Sequence, residues 1–151
     1  MKLTICSIGR LKPSPEKELQ QKYIARIRWP LEIVELEVKK KLPPPVTKLR
    51  EAVLLTGSVP RGAMVVALDQ RGQHLSSQDF AGKLGGWRDQ DRDAAFLIGG
   101  ASGLEKRLRD EAHLVIAFGT ATWPHMLIRI MLIEQIYRAQ EILAGNPYHR
   151  D

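Results

Sequence analysis

The chain has 151 residues, 44% hydrophobic and 26% charged, the size and composition of one globular domain that can bury a core without staples. Its single cysteine, Cys6, excludes an internal disulfide and any multi-cysteine zinc site; no run of about 20 apolar residues is free of charge, so no membrane-spanning helix is expected. The net charge of +6 is uneven: residues 1–50 carry twelve Lys/Arg against five Asp/Glu, the remainder eleven against twelve. That asymmetry fits a polyanion partner at one end, or a basic face kept for solubility.

Lys2 to Gly9 alternates and then runs apolar, which predicts a buried first strand with Cys6 as a small core hydrophobe. Met1-Lys2-Leu3 leads straight into it without a signal-peptide pattern, so the expected address is the cytoplasm. Ser14-Pro15 supplies an N-cap and a first-turn proline for a helix whose Leu19, Tyr23 and Ile27 form one inward stripe. It ends before Trp29-Pro30, because proline disfavours helix at the preceding residue. Leu31 to Val38 alternates as a second strand. Lys39-Lys40-Lys41 and Pro43-Pro44-Pro45 read as a stiff solvated loop with a second use as a phosphate contact, and a short helix is expected over Val46 to Leu55.

Ala63 to Leu68 is a continuous apolar run, as for a central parallel strand, closed by a turn at Asp69-Gln70-Arg71-Gly72. Ser76-Ser77-Gln78-Asp79 reads as a capping box that starts a helix towards Trp87, weakened by Gly82, Gly85 and Gly86. A strand at Ala94 to Ile98, the loop Gly99-Gly100-Ala101-Ser102-Gly103, a helix from Leu104 to Ala112 and a strand at His113 to Ala117 continue the alternation. The pattern predicts a single α/β domain over residues 1–151, with a mainly parallel sheet of five to six strands flanked by helices.

In open α/β sheets ligands bind beyond the carboxyl ends of the strands. Three such ends are unusual here: Leu68-Asp69, the Gly99 to Gly103 loop, and Phe118-Gly119-Thr120-Ala121-Thr122-Trp123-Pro124-His125. The glycine loop lacks both the G-x-G-x-x-G spacing of a dinucleotide fingerprint and the lysine-serine pair of a P-loop. Pro124 fits the first position of a last helix, with His125 in its first turn. From Leu127 to Leu143 that helix is apolar nearly all round, so it needs a second covering surface, most simply the same helix of a twofold-related subunit. Glu134 and Arg138 form a favourable i,i+4 pair.

These stretches resemble a known family. Gly9-Arg10-Leu11-Lys12, Leu68-Asp69-Gln70-Arg71-Gly72, Ile98-Gly99-Gly100, Thr122-Trp123-Pro124-His125, Glu134-Gln135-Ile136-Tyr137-Arg138 and the ending Asn146-Pro147-Tyr148-His149-Arg150-Asp151 look like the large-subunit ribosomal RNA methyltransferase H family, of the SPOUT superfamily of knotted methyltransferases. The resemblance runs end to end. It implies a C-terminal trefoil knot, an obligate homodimer, S-adenosylmethionine as methyl donor, and no metal. It further implies methylation at N3 of a pseudouridine, position 1915 in helix 69 of 23S ribosomal RNA, on assembled ribosomes.

Carried over by residue, the resemblance assigns Leu68, Gly100, Gly119, Thr120, Ala121, Thr122, Trp123 and Pro124 to the cofactor pocket. Ala101-Ser102 and Gly119-Thr120 depart from the usual family residues, at sites that work largely through backbone. Tyr148, His149 and Arg150 are the expected catalytic group: Tyr148 to stack or hydrogen-bond the base, His149 as base or proton relay, Arg150 to hold phosphate or imidate charge. The last helix is too long for its two ends to meet, so the site is expected to be shared between subunits. A non-catalytic ribosome-binding factor and a SPOUT enzyme acting on another RNA are the competing readings.

Overall fold

The computed structural model describes residues 1–149. Five strands, β1 (Leu3–Ile8), β2 (Leu31–Leu36), β3 (Met64–Gln73), β4 (Ala94–Ile98) and β5 (Leu114–Ile116), form one sheet in the order β2-β1-β4-β3-β5. Every pairing is parallel. β1 and β4 are buried along their whole length, as strands covered on both faces must be.

Three helices cover one face: α1 (Pro15–Ile24), α3 (Ser77–Asp89) and α5 (His125–Leu143). Their Tyr23, Phe80, Leu84, Trp87, Leu132, Ile133 and Ile136 pack on Leu3, Ile5, Val66, Phe96 and Leu114 of the sheet. On the other face α2 (Pro44–Ser58) and α4 (Lys106–Glu111) bring Leu55 and Leu108 onto Cys6, Ile8, Ala67 and Leu97. Cys6 is fully buried there, and burial pushes its thiol up to about 11, which keeps it protonated and unreactive at neutral pH.

Local chemistry accounts for the helix starts. Ser14 caps α1 by accepting from the Lys17 amide at 3.2 Å, with Pro15 at the first position, and Ser76 caps α3 by accepting from the Asp79 amide at 3.0 Å. α3 survives its glycines because Gly85 lets α5 come close: a Cβ there would stand 2.9 Å from Leu143 Cδ2.

Four expectations need correction. α2 is longer than expected at both ends, since prolines fit its first turn. Pro124 sits just outside α5 as its N-cap, so His125 is the first helical residue. Leu19 faces out and is 44% exposed, while its neighbour Gln20 turns inward and is buried; α1 ends at Ile24, so the four-residue spacing to Ile27 never describes one helical face.

The fourth concerns Asp69-Gln70-Arg71-Gly72, which is no simple turn. β3 continues to Gln73, and both Leu68 and Gln73 pair with Ile116, so the strand arches over the end of β5. Gly72 permits this: a Cβ on it would lie 2.5 Å from the Ile116 carbonyl carbon. The Thr122 hydroxyl donates to Gln70 Oε1 at 2.8 Å, and the Ser77 hydroxyl to Gln135 Oε1 at 2.8 Å. The first bond ties the arch to the loop after β5, and the second ties the start of α3 to α5.

Candidate active site

At the carboxyl ends of β3, β4 and β5 lies a cavity of about 680 Å³, within the size range of small-molecule and cofactor sites. Leu68, Ile98 and Ile116, the last apolar residues of the three strands, form its floor. Two loops make its walls. One is Gly99 to Gly103, a tight turn in which the Gly103 amide donates to the Gly100 carbonyl at 3.0 Å, and in which a Cβ on Gly99 would lie 2.7 Å from the Gly103 carbonyl carbon. The other runs from Ala117 to Pro124 and is braced by the Trp123 indole N–H, which donates to the Phe118 carbonyl at 2.9 Å.

Of the residues expected in the pocket, Leu68, Gly100, Gly119, Ala121, Thr122, Trp123 and Pro124 line the cavity. Thr120 belongs to the same loop but does not line it. Asp69, next to Leu68 at one of the strand ends the sequence singled out, also lines the cavity: its carboxylate accepts from the Arg71 amide at 3.0 Å and pairs with the Arg109 guanidinium at 3.4 Å. Lys48, from α2, lines it without any strong signal in the sequence. It arrives from an element whose approach to the site depends on tertiary packing.

His125 closes the cavity on the side of β1, its Nε2 3.1 Å from the point a Cβ on Gly9 would occupy. Gly9 has φ +91, a conformation that favours glycine. Burial, and then the nearby Arg129 charge, lower the pKa of His125 below its usual 6.5, so the imidazole is neutral at neutral pH. One turn further along α5, Arg129 is 1% exposed and ties the start of the helix to the ends of β1 and β2. Its guanidinium donates to Ser7 Oγ at 2.7 Å, the Gly9 carbonyl at 2.8 Å and Glu35 Oε1 at 2.5 Å.

The tail sits elsewhere. Tyr148 donates to Glu134 Oε1 at 3.1 Å, stacks edge-on to Tyr137 at 4.6 Å between centroids, and lies under the Arg138 guanidinium at 4.9 Å. The expected Glu134–Arg138 pair forms at 2.7 Å and helps to build this seat. Burial, reinforced by the Glu134 charge, pushes the Tyr148 hydroxyl far up, so it acts as a hydrogen-bond donor and not as a base. His149 ends a 3₁₀ turn with Pro147 and Tyr148, and Arg150 lies outside the described residues. Glu134 is nine residues on from His125, about 14 Å along the helix at 1.5 Å per residue. Within one chain, then, the described part of the tail does not join the cavity.

α5 also leaves apolar surface uncovered. Leu127 and Met126 are 37% exposed, and Leu127, Ile130 and Met131 line a groove with Pro15 and Leu19 of α1. No helix of the described chain is long and apolar enough to cross a membrane. Among the described residues no group of three or more His, Cys, Asp or Glu could hold a metal ion.

A family model described as "Predicted SPOUT methyltransferase" matches residues 1–149. The chain is 54% identical over 151 residues to the ribosomal RNA large subunit methyltransferase H of Rhodospirillum centenum, covering 99% of both chains. It is 48% identical to the protein of that name from Paracoccus denitrificans, over the full length of both. Among solved structures it is similar to a methylase-family protein from Haemophilus influenzae, with a TM-score of 0.56 at 8% identity, covering 99% of this chain and 70% of that one. It is also similar to the SpoU methyltransferase AviRb from Streptomyces viridochromogenes, with a TM-score of 0.50 at 13% identity, covering 96% and 61%. At those identities the structural likeness is one of fold; the end-to-end sequence match goes further, and the chain belongs to the SPOUT methyltransferase family.

Proposed function

We propose that this protein methylates large-subunit ribosomal RNA, with S-adenosylmethionine as donor and N3 of a pseudouridine, position 1915 in helix 69 of 23S ribosomal RNA, as acceptor. It acts in the cytoplasm as a knotted homodimer, on assembled ribosomes. The observation that carries this reading is the cavity at the ends of β3, β4 and β5, walled by the same glycine and Trp-Pro-His loops that define the family resemblance. Relatives about half identical over their whole length bear the name ribosomal RNA large subunit methyltransferase H, which supports the ribosomal RNA part of this reading.

The residues present suit the cofactor. Leu68, Ile98, Ile116 and Trp123 offer apolar walls for a flat heterocycle, and the closely turned Gly99 to Gly103 backbone offers amides and carbonyls to its polar edges. The bound sulfonium supplies an activated methyl group. The protein has to hold acceptor and methyl in line, and orientation of that kind contributes roughly 7–11 kcal/mol. It must also take the proton of the imide N3–H, so that the nitrogen lone pair is free to form the new bond. His149 suits that task as an imidazole, the side chain that most often serves as base or proton relay. Tyr148 suits hydrogen-bonding or stacking of the base, and Arg150 suits a phosphate or the imidate charge.

The distance of the tail from the cavity within one chain supports a site completed by a second subunit. The groove lined by exposed Leu19 and Leu127 and half-buried Met131 supplies apolar surface for such a dimer. The exposed lysines Lys39, Lys40 and Lys41 and Lys12 suit ribosomal phosphates. Mass spectrometry of helix 69 from a strain lacking the protein tests the substrate. The methyl group on the pseudouridine should vanish and return when the gene is restored; its persistence refutes the assignment.

A further inference from the structure

Behind the double glycine, on the face of the sheet covered by α2, lies a carboxylate that neither the sequence patterns nor the proposed chemistry uses. Glu51 is 8% exposed, and its Oε2 has no hydrogen-bond partner. Its two oxygens stand 2.8 and 3.2 Å from the point where a Cβ on Gly100 would be, with Ile8 Cγ2 at 3.0 Å beside them. The carboxylate thus fills the space that a side chain at Gly100 would take, directly behind a backbone segment that lines the cavity.

Such a group is costly to a fold. A buried carboxylate with an unused oxygen carries a desolvation penalty that a glutamine, or an apolar residue of similar size, would lessen. Burial raises its pKa, with only the Gly100 backbone amide acting the other way. No Lys or Arg pairs with it among the described residues. Every cationic side chain that lines the cavity (Lys48, Arg71) adds positive charge to it. A net cationic ligand such as a sulfonium would gain from one uncompensated negative charge in the wall, and a neutral thioether would not.

We propose that Glu51 is a positioning residue of the cofactor site: from behind Gly100 it fixes the glycine loop and gives the cavity wall a negative charge that favours the sulfonium over the thioether left after methyl transfer. This rests on the methyl-transfer reading above. Its consequence is a pocket that holds the substrate form of the cofactor and lets the spent form go.

The test is calorimetric titration of the full chain with S-adenosylmethionine and, separately, S-adenosylhomocysteine, for wild type, Glu51→Gln and Glu51→Asp. Glu51→Gln keeps size and an acceptor oxygen but removes the charge. It should weaken the sulfonium about three- to tenfold while leaving the thioether within about twofold. Its melting temperature should stay level or rise, and Glu51→Asp should restore most of the preference. Equal weakening of both ligands, an unchanged ratio, or a marked fall in melting temperature for Glu51→Gln would each overturn the proposal. Wild type that binds neither ligand would instead overturn the methyl-transfer reading.

Discussion

Arg129 and Glu35, 94 residues apart in the chain, meet at 2.5 Å where the last helix leaves the cavity. Glu35 also accepts from the Leu11 amide at 3.0 Å, so one carboxylate ties together the loop after β1, the end of β2 and the start of α5. Arg129→Met should cost about 3–5 kcal/mol, because Glu35 and Ser7 lose their donor in a largely buried place. Glu35→Gln should cost less, since the amide oxygen still accepts. Urea unfolding checks both, and a loss below 1 kcal/mol for Arg129→Met would show that the network contributes little.

The arch of β3 over β5 depends on the absence of one side chain. A Cβ on Gly72 would lie 2.5–2.7 Å from three backbone atoms of Ile116, and backbone cannot move aside as a side-chain tip can. Gly72→Ala should destabilise by about 1–3 kcal/mol and loosen the cavity floor. Gly82→Ala is the contrasting control: nothing lies within 4 Å of a Cβ there, and on an exposed helix face the change should stabilise by about 0.5–1 kcal/mol. Thermal or chemical melts of the two variants should move in opposite directions.

That contrast marks what the sequence could and could not tell. The strands β1 and β4, the caps at Ser14 and Ser76 and the cavity loops at Gly100 and Trp123 were legible, because local periodicity and residue type decide them. Gly72 read as a turn because a glycine that permits close backbone approach looks the same in sequence as one that permits a bend. Leu19 read as core because the spacing to Tyr23 and Ile27 ran past the true end of α1. Glu51 was silent: its role depends on Gly100, 49 residues further on, which no local window contains.

Two groups should shape the pH dependence of stability in opposite senses. The pKa of Glu51 is raised in the folded state, so the native form holds a proton that the unfolded chain releases near 4.5. Its contribution is therefore complete below 4.5 and is lost as pH rises through the folded value. His125 is lowered, so the unfolded chain takes up a proton first, near 6.5, and stability is lost as pH falls from there towards the folded value. Melting curves across pH should show Glu51→Gln gaining on wild type as pH rises above 4.5, until the wild-type carboxyl is fully ionised. A difference that does not vary with pH would mean that Glu51 titrates alike in both states.

The lysine loop should act through salt. Lys39, Lys40 and Lys41 are exposed, and none of them forms an ion pair among the described residues. Changing all three to glutamate should weaken binding to ribosomes and reduce the slope of log affinity against log salt by about 1–3. Cofactor titration should be unaffected, since none of the three lines the cavity. An unchanged salt slope would move the RNA contact to another face.

Whether the site is shared between subunits can be decided by mixing two inactive proteins. One carries a blocked cavity, Gly119→Trp; the other lacks the tail from Tyr148 onward. If the cavity of one subunit works with the tail of the other, each parent homodimer is dead. A mixed dimer still has one complete site, formed by the intact loop of the truncated chain and the intact tail of the blocked one. Its other site has neither. After unfolding and refolding together at equal amounts, half of the dimers are mixed and half of their sites are complete, so roughly a quarter of wild-type activity should appear. A site built within one chain predicts no recovery, because each parent would bring its own defect to its own site. The 14 Å or so of helix between His125 and Glu134, the seat of Tyr148, favours the first outcome. The groove with exposed Leu127 beside half-buried Met131 gives an independent check: Leu127→Glu should yield monomers and abolish the recovery, while the cavity of each monomer still binds the cofactor.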